Sequence, residues 1–104
     1  ASKDMLSGGI LGVLLDCHSN WCAATTLLKE GRTELPPTVT AEFHVKLRRP
    51  TPLEEVTLIA RPAEVTGNRV VVEAEVRARG EVTATCRGVF VEVPRDHVAF
   101  DRWR

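Results

Sequence analysis

The hydrophobic pattern changes its period once along the chain, and this change constrains the fold more than any other feature. Between about Ser7 and Glu30, apolar residues recur at steps of three and four, which is typical of one face of an α-helix. We predict that Ser7 caps this helix and that Gly31 ends it, giving a length of about 35 Å at 1.5 Å per residue. The face expected to enter the core comprises Ile10, Leu14, Cys17, Trp21, Ala24 and Leu28.

After two prolines the period becomes two, which predicts β-strands. The first strand is expected from Thr38 to Arg49, with Thr40 and His44 on its polar face and Val39, Ala41, Phe43, Val45 and Leu47 on its apolar face. Three further strands are expected at 55–65, 69–78 and 81–93, and the tight turns between them favour an antiparallel meander. This order predicts an α+β domain in which a curved antiparallel sheet wraps one long central helix.

Length and composition narrow the functional classes. A chain of 104 residues is sufficient for one domain, which we assign to residues 1–93, with 94–104 as an irregular C-terminal tail. Fourteen basic and fourteen acidic side chains give a formal net charge of +0, so the excess of positive charge that favours nucleic-acid binding is missing. A domain of this size can bury a modest hydrophobic core, but it cannot enclose a deep active-site cavity within one chain. Function is therefore expected at the surface or between subunits.

Cellular location is also indicated by the sequence. The longest apolar run, from Ile10 to Leu15, is much shorter than the roughly 20 residues of a membrane-spanning helix. The three cysteines are an odd number, and no pattern typical of a signal peptide precedes the helix. We therefore expect a cytoplasmic protein with no membrane partner.

The first half of the helix contains the candidate chemical groups. Asp16 lies among small residues, so another chain or a ligand can approach it closely. Gly8 and Gly9 stand at the helix N-terminus, where unhindered N–H groups and the helix dipole can stabilise an oxyanion. From the residues alone, a solvated Asp16 and a flexible helix start remain the simpler interpretations.

Several segments together resemble a known family. They are Ser7-Gly8-Gly9-Ile10, Asp16 nine positions after Ser7, the strand at 38–49 with its Arg-Pro-Thr-Pro ending, and Gly80-Glu81-Val82 followed by Gly88-Val89-Phe90-Val91. Over residues 7–93 the chain resembles the hotdog-fold acyl-CoA thioesterases of the phenylacetate-degradation (PaaI-like) type. The resemblance implies that Asp16 is the general base or nucleophile and that the Gly9 N–H polarises the thioester carbonyl. It also implies that Thr40, from the neighbouring subunit, places the attacking water.

The same resemblance implies an acyl-CoA substrate and a homodimer, or a dimer of dimers, with the site at the subunit interface. Further substrate-binding candidates are Ser7, Gly8, Asn20, His44, Arg48 and Arg49, the two arginines as contacts for the phosphates of coenzyme A. No metal or redox cofactor is expected, because a thioester is already activated; coenzyme A enters as part of the substrate. His18 and Cys22 share a helix face and could form a metal pair, but no further ligand is near in sequence.

The sequence departs from the family pattern at two places. Ser7 stands where the family has His, and only six residues precede it, whereas the family has a strand before the helix. We expect either a longer natural chain or a partner that completes the site. The alternative function is a non-catalytic module that binds acyl ligands. A hydratase or dehydratase ranks last, because Asp16 and His18 point about 160° apart on the helix.

Overall fold

The computed structural model describes residues 7–93; the predicted tail at 94–104 lies outside this range. Helix α1 spans Gly8–Lys29. Ser7 caps it as predicted, with an extended backbone and a side-chain oxygen that accepts a hydrogen bond from the Ile10 N–H at 3.2 Å. At the other end, Gly31 adopts a φ of 108°, in the left-handed region that favours glycine after a helix. Both helix boundaries predicted from the sequence are confirmed.

Four antiparallel strands form one sheet: β1 (Thr38–Leu47), β2 (Thr57–Thr66), β3 (Arg69–Ala78) and β4 (Glu81–Glu92). Their order in the sheet is β1-β4-β3-β2, so the predicted meander of the last three strands is confirmed and β1 forms an edge beside β4. β1 ends two residues earlier than expected, because the N–H groups of Arg48 and Arg49 both donate to the Thr83 carbonyl, at 2.9 and 3.1 Å. One helix therefore packs against a four-stranded sheet, as the sequence predicts.

The buried face of α1 differs from the predicted one. The helix residues that enter the core are Leu11, Leu15, Ser19, Ala23, Ala24 and Leu27. Of the predicted face, only Ala24 is buried; Ile10 is 51% exposed and Trp21 is 60% exposed. Apolar residues surround most of this helix, so the spacing of three and four also fits a face rotated by about 100°. The sheet packs against the face with the small residues Ser19 and Ala23 at its centre, where the two layers can approach closely.

A β-bulge in β1 changes which side chains face the helix. The register with β4 shifts between Thr40, which pairs with Phe90, and Glu42, which pairs with Val89. Residues opposite each other in a sheet share a face, and Phe90 is fully buried beneath the helix. The extra residue therefore turns Thr40 towards the helix and leaves His44 on the opposite face. The expectation that Thr40 and His44 share one polar face was wrong, because strict alternation was assumed through the bulge.

The absence of a side chain at position 88 is required by the core. A Cβ atom at Gly88 would lie 2.6 Å from Phe90 Cε2 and 3.3 Å from Phe43 Cδ1. Because Phe90 is fully buried, we expect Gly88→Ala to lower the free energy of unfolding by about 1–3 kcal/mol. Urea unfolding measures this loss. The same substitution should cost less in a Phe90→Leu background, and equal costs in both backgrounds would contradict the steric explanation.

Candidate active site

A carboxylate and a hydroxyl meet where α1 passes over the edge strand β1. Asp16 lies about 100° around the helix from the buried Leu15, so it stands at the border between core and surface. The Thr40 hydroxyl donates to Asp16 Oδ1 at 2.8 Å. The bulge turns Thr40 inward, so its hydroxyl reaches Asp16 of its own chain. One carboxylate oxygen is thereby held, and Oδ2 is available for a further partner. The expected role of Thr40 at a site shared with a neighbouring subunit stays a prediction.

A second side-chain pair repeats this arrangement one helical turn further along. The Thr38 hydroxyl donates to Asn20 Oδ1, and Thr38 is buried. Asn20 follows Asp16 by four residues and Thr38 precedes Thr40 by two, so helix and strand are joined at two successive positions. This second bond fixes the helix over β1 and with it the position of the Asp16 carboxylate.

Both pairs line a groove of about 610 Å³ on the surface of the domain. This volume lies within the range of roughly 300–1,000 Å³ found for small-molecule sites. Its polar end contains Asp16, Thr40 and Asn20, and its other end is formed by Trp21, Ala24, Leu35, Pro36 and Pro37. Trp21, which was expected in the core, is therefore a wall of the groove. The contribution of the segment at 35–37 was not predicted, because the sequence reveals it only as a connection between helix and strand.

The N-terminus of α1 presents backbone donors. Ser7 accepts from Ile10 through its side chain and from Leu11 through its carbonyl, at 3.0 Å in the second case. Gly8 and Gly9 supply the remaining N–H groups of the first turn. A Cβ at Gly9 would meet only Ser7 Oγ, at 3.9 Å, whereas one at Gly8 would lie 3.0 Å from Leu47 Cδ1. The space around the Cα of Gly9 is thus more open than that around Gly8.

The carboxylate and the helix N-terminus are separated along the same face of the helix. Asp16 follows Gly9 by seven positions, which corresponds to about 10 Å along the helix axis and about 20° of rotation. A reacting carbonyl must lie within hydrogen-bond range of the donors and close to the attacking oxygen. One chain alone therefore cannot bring Gly9 and Asp16 to a single carbonyl.

The other predicted binding residues lie away from this groove. His44 pairs with Arg87 on the sheet face opposite the helix, where His44, Lys46 and Arg48 line a second groove of about 470 Å³. Arg48 Nε donates to Thr85 Oγ1 at 3.4 Å. Arg49 forms an exposed ion pair with Glu81 at 3.1 Å. The structure thus brings Asp16, Thr40 and Asn20 together but not His44, Arg48 or Arg49.

The three cysteines are unpaired and differ in environment. Cys17 is exposed, Cys22 is partly buried and Cys86 is buried. Burial raises the pKa of the Cys86 thiol, which lies 3.6 Å from the buried Ser19 hydroxyl.

Within residues 7–93, no three His, Cys, Asp or Glu side chains are grouped so that they could hold a metal ion. In the same range, no helix is long and apolar enough to span a membrane.

A long helix packed on a four-stranded antiparallel sheet with this topology is the hotdog fold. Residues 5–85 match the thioesterase superfamily, and the chain belongs to this family. Comparison with curated proteins found no match.

Solved structures from three bacteria are similar to the chain. A Bacillus halodurans protein crystallised with coenzyme A is 26% identical, with a TM-score of 0.75 over 86% of this chain and 56% of that one. A thioesterase superfamily protein from Shewanella loihica is 28% identical, with a TM-score of 0.72 over 90% and 73% of the two chains. A conserved protein from Pseudomonas aeruginosa is 26% identical, with a TM-score of 0.76 over 89% and 70%. The chain thus spans little more than half the length of the Bacillus protein.

Proposed function

We propose that this protein is an acyl-CoA thioesterase, which hydrolyses an acyl-CoA to a carboxylic acid and free coenzyme A. The observation that carries the proposal is the Asp16–Thr40 pair, joined at 2.8 Å at one end of an open groove. Family membership supports thioester chemistry, and the coenzyme A in the related Bacillus structure supports the thiol component. The spacing of Ser7-Gly8-Gly9 and Asp16 supports the PaaI-like branch of the family.

The Asp16 end of the groove and the N-terminus of a helix together supply what hydrolysis requires. Asp16 Oδ2 accepts a proton from water as the water oxygen attacks the thioester carbonyl carbon. The Gly9 N–H, aided by the helix dipole, stabilises the oxyanion that forms. When the carbon–sulfur bond breaks, the departing sulfur takes the proton from Asp16. Thr40 is a positioning residue in this scheme, because it acts by holding the carboxylate. Direct attack by Asp16 would instead give a mixed anhydride that water then hydrolyses.

A second copy of the chain completes the proposed site. Because Gly9 and Asp16 of one chain are about 10 Å apart along the helix axis, two antiparallel helices can place Gly9 of one copy beside Asp16 of the other. Two observations support this homodimer. A Cβ at Gly12 would meet nothing within 4 Å, although glycine within a helix costs up to about 1 kcal/mol. Ile10 and Val13, on the same half of the helix, are exposed apolar residues.

Arg48 and Arg49 remain proposed contacts for the phosphates of coenzyme A. Both are exposed cations at the end of β1, although neither lies in the groove of its own chain. They would therefore have to reach a coenzyme A molecule that extends beyond the groove. We propose a cytoplasmic location for this activity.

Thioester hydrolysis tests the proposed function directly. The purified protein is incubated with acetyl-, hexanoyl-, benzoyl- and palmitoyl-CoA, and the loss of thioester absorbance is recorded. This readout avoids thiol reagents, which the exposed Cys17 would consume. We expect turnover of at least one substrate. If acyl-CoA raises the melting temperature but no thioester is consumed, the protein is a non-catalytic binding module and the proposal is wrong.

A further inference from the structure

The apolar end of the groove has no role in the chemistry described so far. Trp21 is 60% exposed, which is unusual for so large an apolar side chain, and it lies in the same groove as Asp16. We propose that Trp21 binds the hydrocarbon part of the acyl group and gives the enzyme a preference for bulky apolar acyl groups over acetyl. This inference rests on the proposed thioesterase function and names its substrate class.

The geometry of the helix sets the size of the preferred group. The Cα atoms of Trp21 and Ala24 lie about 7.5 and 12 Å further along the helix axis than that of Asp16, and about 140° and 80° around it. The groove therefore curves around the helix from Asp16 to Trp21. A carbonyl held at Asp16 would place a methyl group short of the indole. A hydrocarbon of several carbons, or an aromatic ring, would reach it.

The walls at this end suit an apolar ligand. Ala24 is small and lines the same groove as Trp21, so its side chain takes up little of the space there. Pro36 is buried and Pro37 is partly buried, and their fixed φ angles make this wall stiff. A preformed apolar wall binds a ligand without the entropic cost of ordering a mobile segment.

The acyl group is the occupant that the groove favours, because the apolar end is continuous with the Asp16–Thr40 pair. Substrate bound at the carboxylate would direct its acyl part along this apolar end of the groove. A second copy of the chain is the competing occupant of Trp21, and the experiment below separates the two.

Substrate selectivity of a Trp21 variant tests the proposal. Trp21→Ala should lower kcat/KM for hexanoyl- and benzoyl-CoA by about 10- to 100-fold, because apolar contact with the acyl group is lost. The value for acetyl-CoA should change by no more than about twofold, since acetyl does not reach the indole. Trp21→Phe should restore most of the lost selectivity. Leu53→Ala is the matched control, because Leu53 is also an exposed apolar residue, at 63%, but lies outside the groove.

Equal losses for acetyl-CoA and the bulky substrates would overturn the proposal. Dissociation of the Trp21→Ala variant into monomers, measured by sedimentation, would also overturn the proposal, because Trp21 would then belong to the subunit interface.

Binding without turnover provides an independent readout. In a Trp103→Phe background Trp21 is the only tryptophan, so its fluorescence reports the acyl site. A non-hydrolysable hexanoyl thioether of coenzyme A should shift this emission, and the acetyl thioether should not. If the wild type hydrolyses nothing but the shift is seen, the proposed activity is wrong while the acyl site stands; the same response to both thioethers would overturn the acyl site.

Discussion

Asp16→Asn should lower kcat by about 10²- to 10⁴-fold, the usual contribution of a positioned general base. The amide has nearly the same shape as the carboxylate, and its oxygen can still accept the hydrogen bond that Thr40 donates at 2.8 Å. It cannot accept a proton from water or attack the carbonyl. The loss should therefore appear in kcat measured with saturating acyl-CoA, with the fold checked by the melting temperature.

Two further variants identify the cause of that loss. Thr40→Val keeps the carboxylate but removes its hydrogen bond, so a smaller loss of about 10- to 100-fold is expected. Glu42→Gln removes a carboxylate from the same strand, but Glu42 is exposed on the face opposite the helix, and activity should not change. Full activity in Asp16→Asn would refute the assigned role, and an equal loss in Glu42→Gln would point to net charge instead.

The order of elements could be predicted from the sequence because it depends on local signals. Ser7 and Gly31 mark the ends of the helix through capping and a left-handed φ, which each residue type favours by itself. The period of two and the glycine turns likewise define β2, β3 and β4 without reference to the rest of the chain. Asp16 was found through its resemblance to a family motif.

The details of the site depend on tertiary contacts that no local signal contains. The helix has apolar residues on two faces, and only the sheet determines that Leu15 is buried while Trp21 faces outwards. The bulge in β1 adds one residue against β4, and this shift places Thr40 beside Asp16. These two facts place Trp21, a presumed core residue, in the wall of the groove and join Thr40 to Asp16 of the same chain.

Mixing two inactive variants should restore activity if each site takes Asp16 from one chain and Gly9 from the other. Gly9→Pro removes the N–H donor at a position in the first helical turn where proline is tolerated, and loss of one oxyanion donor costs about 10²- to 10³-fold. Asp16→Ala removes the carboxylate. In a heterodimer of these variants, one site contains both substitutions and the other contains neither. Heterodimers isolated through two different affinity tags should therefore have about half of the wild-type kcat, because one of two symmetric sites is intact.

The matched control for the donor is Gly9→Ala, which retains the N–H and adds a Cβ that would meet only Ser7 Oγ, at 3.9 Å. This variant should lose much less activity than Gly9→Pro, because the backbone donor is preserved. If the isolated heterodimer is as inactive as either parent homodimer, Gly9 and Asp16 do not act together across the interface. The roughly 10 Å between them along one helix would then mean that the oxyanion is stabilised by a different donor. Recovery of activity would instead establish that the dimer is the smallest unit with a complete site.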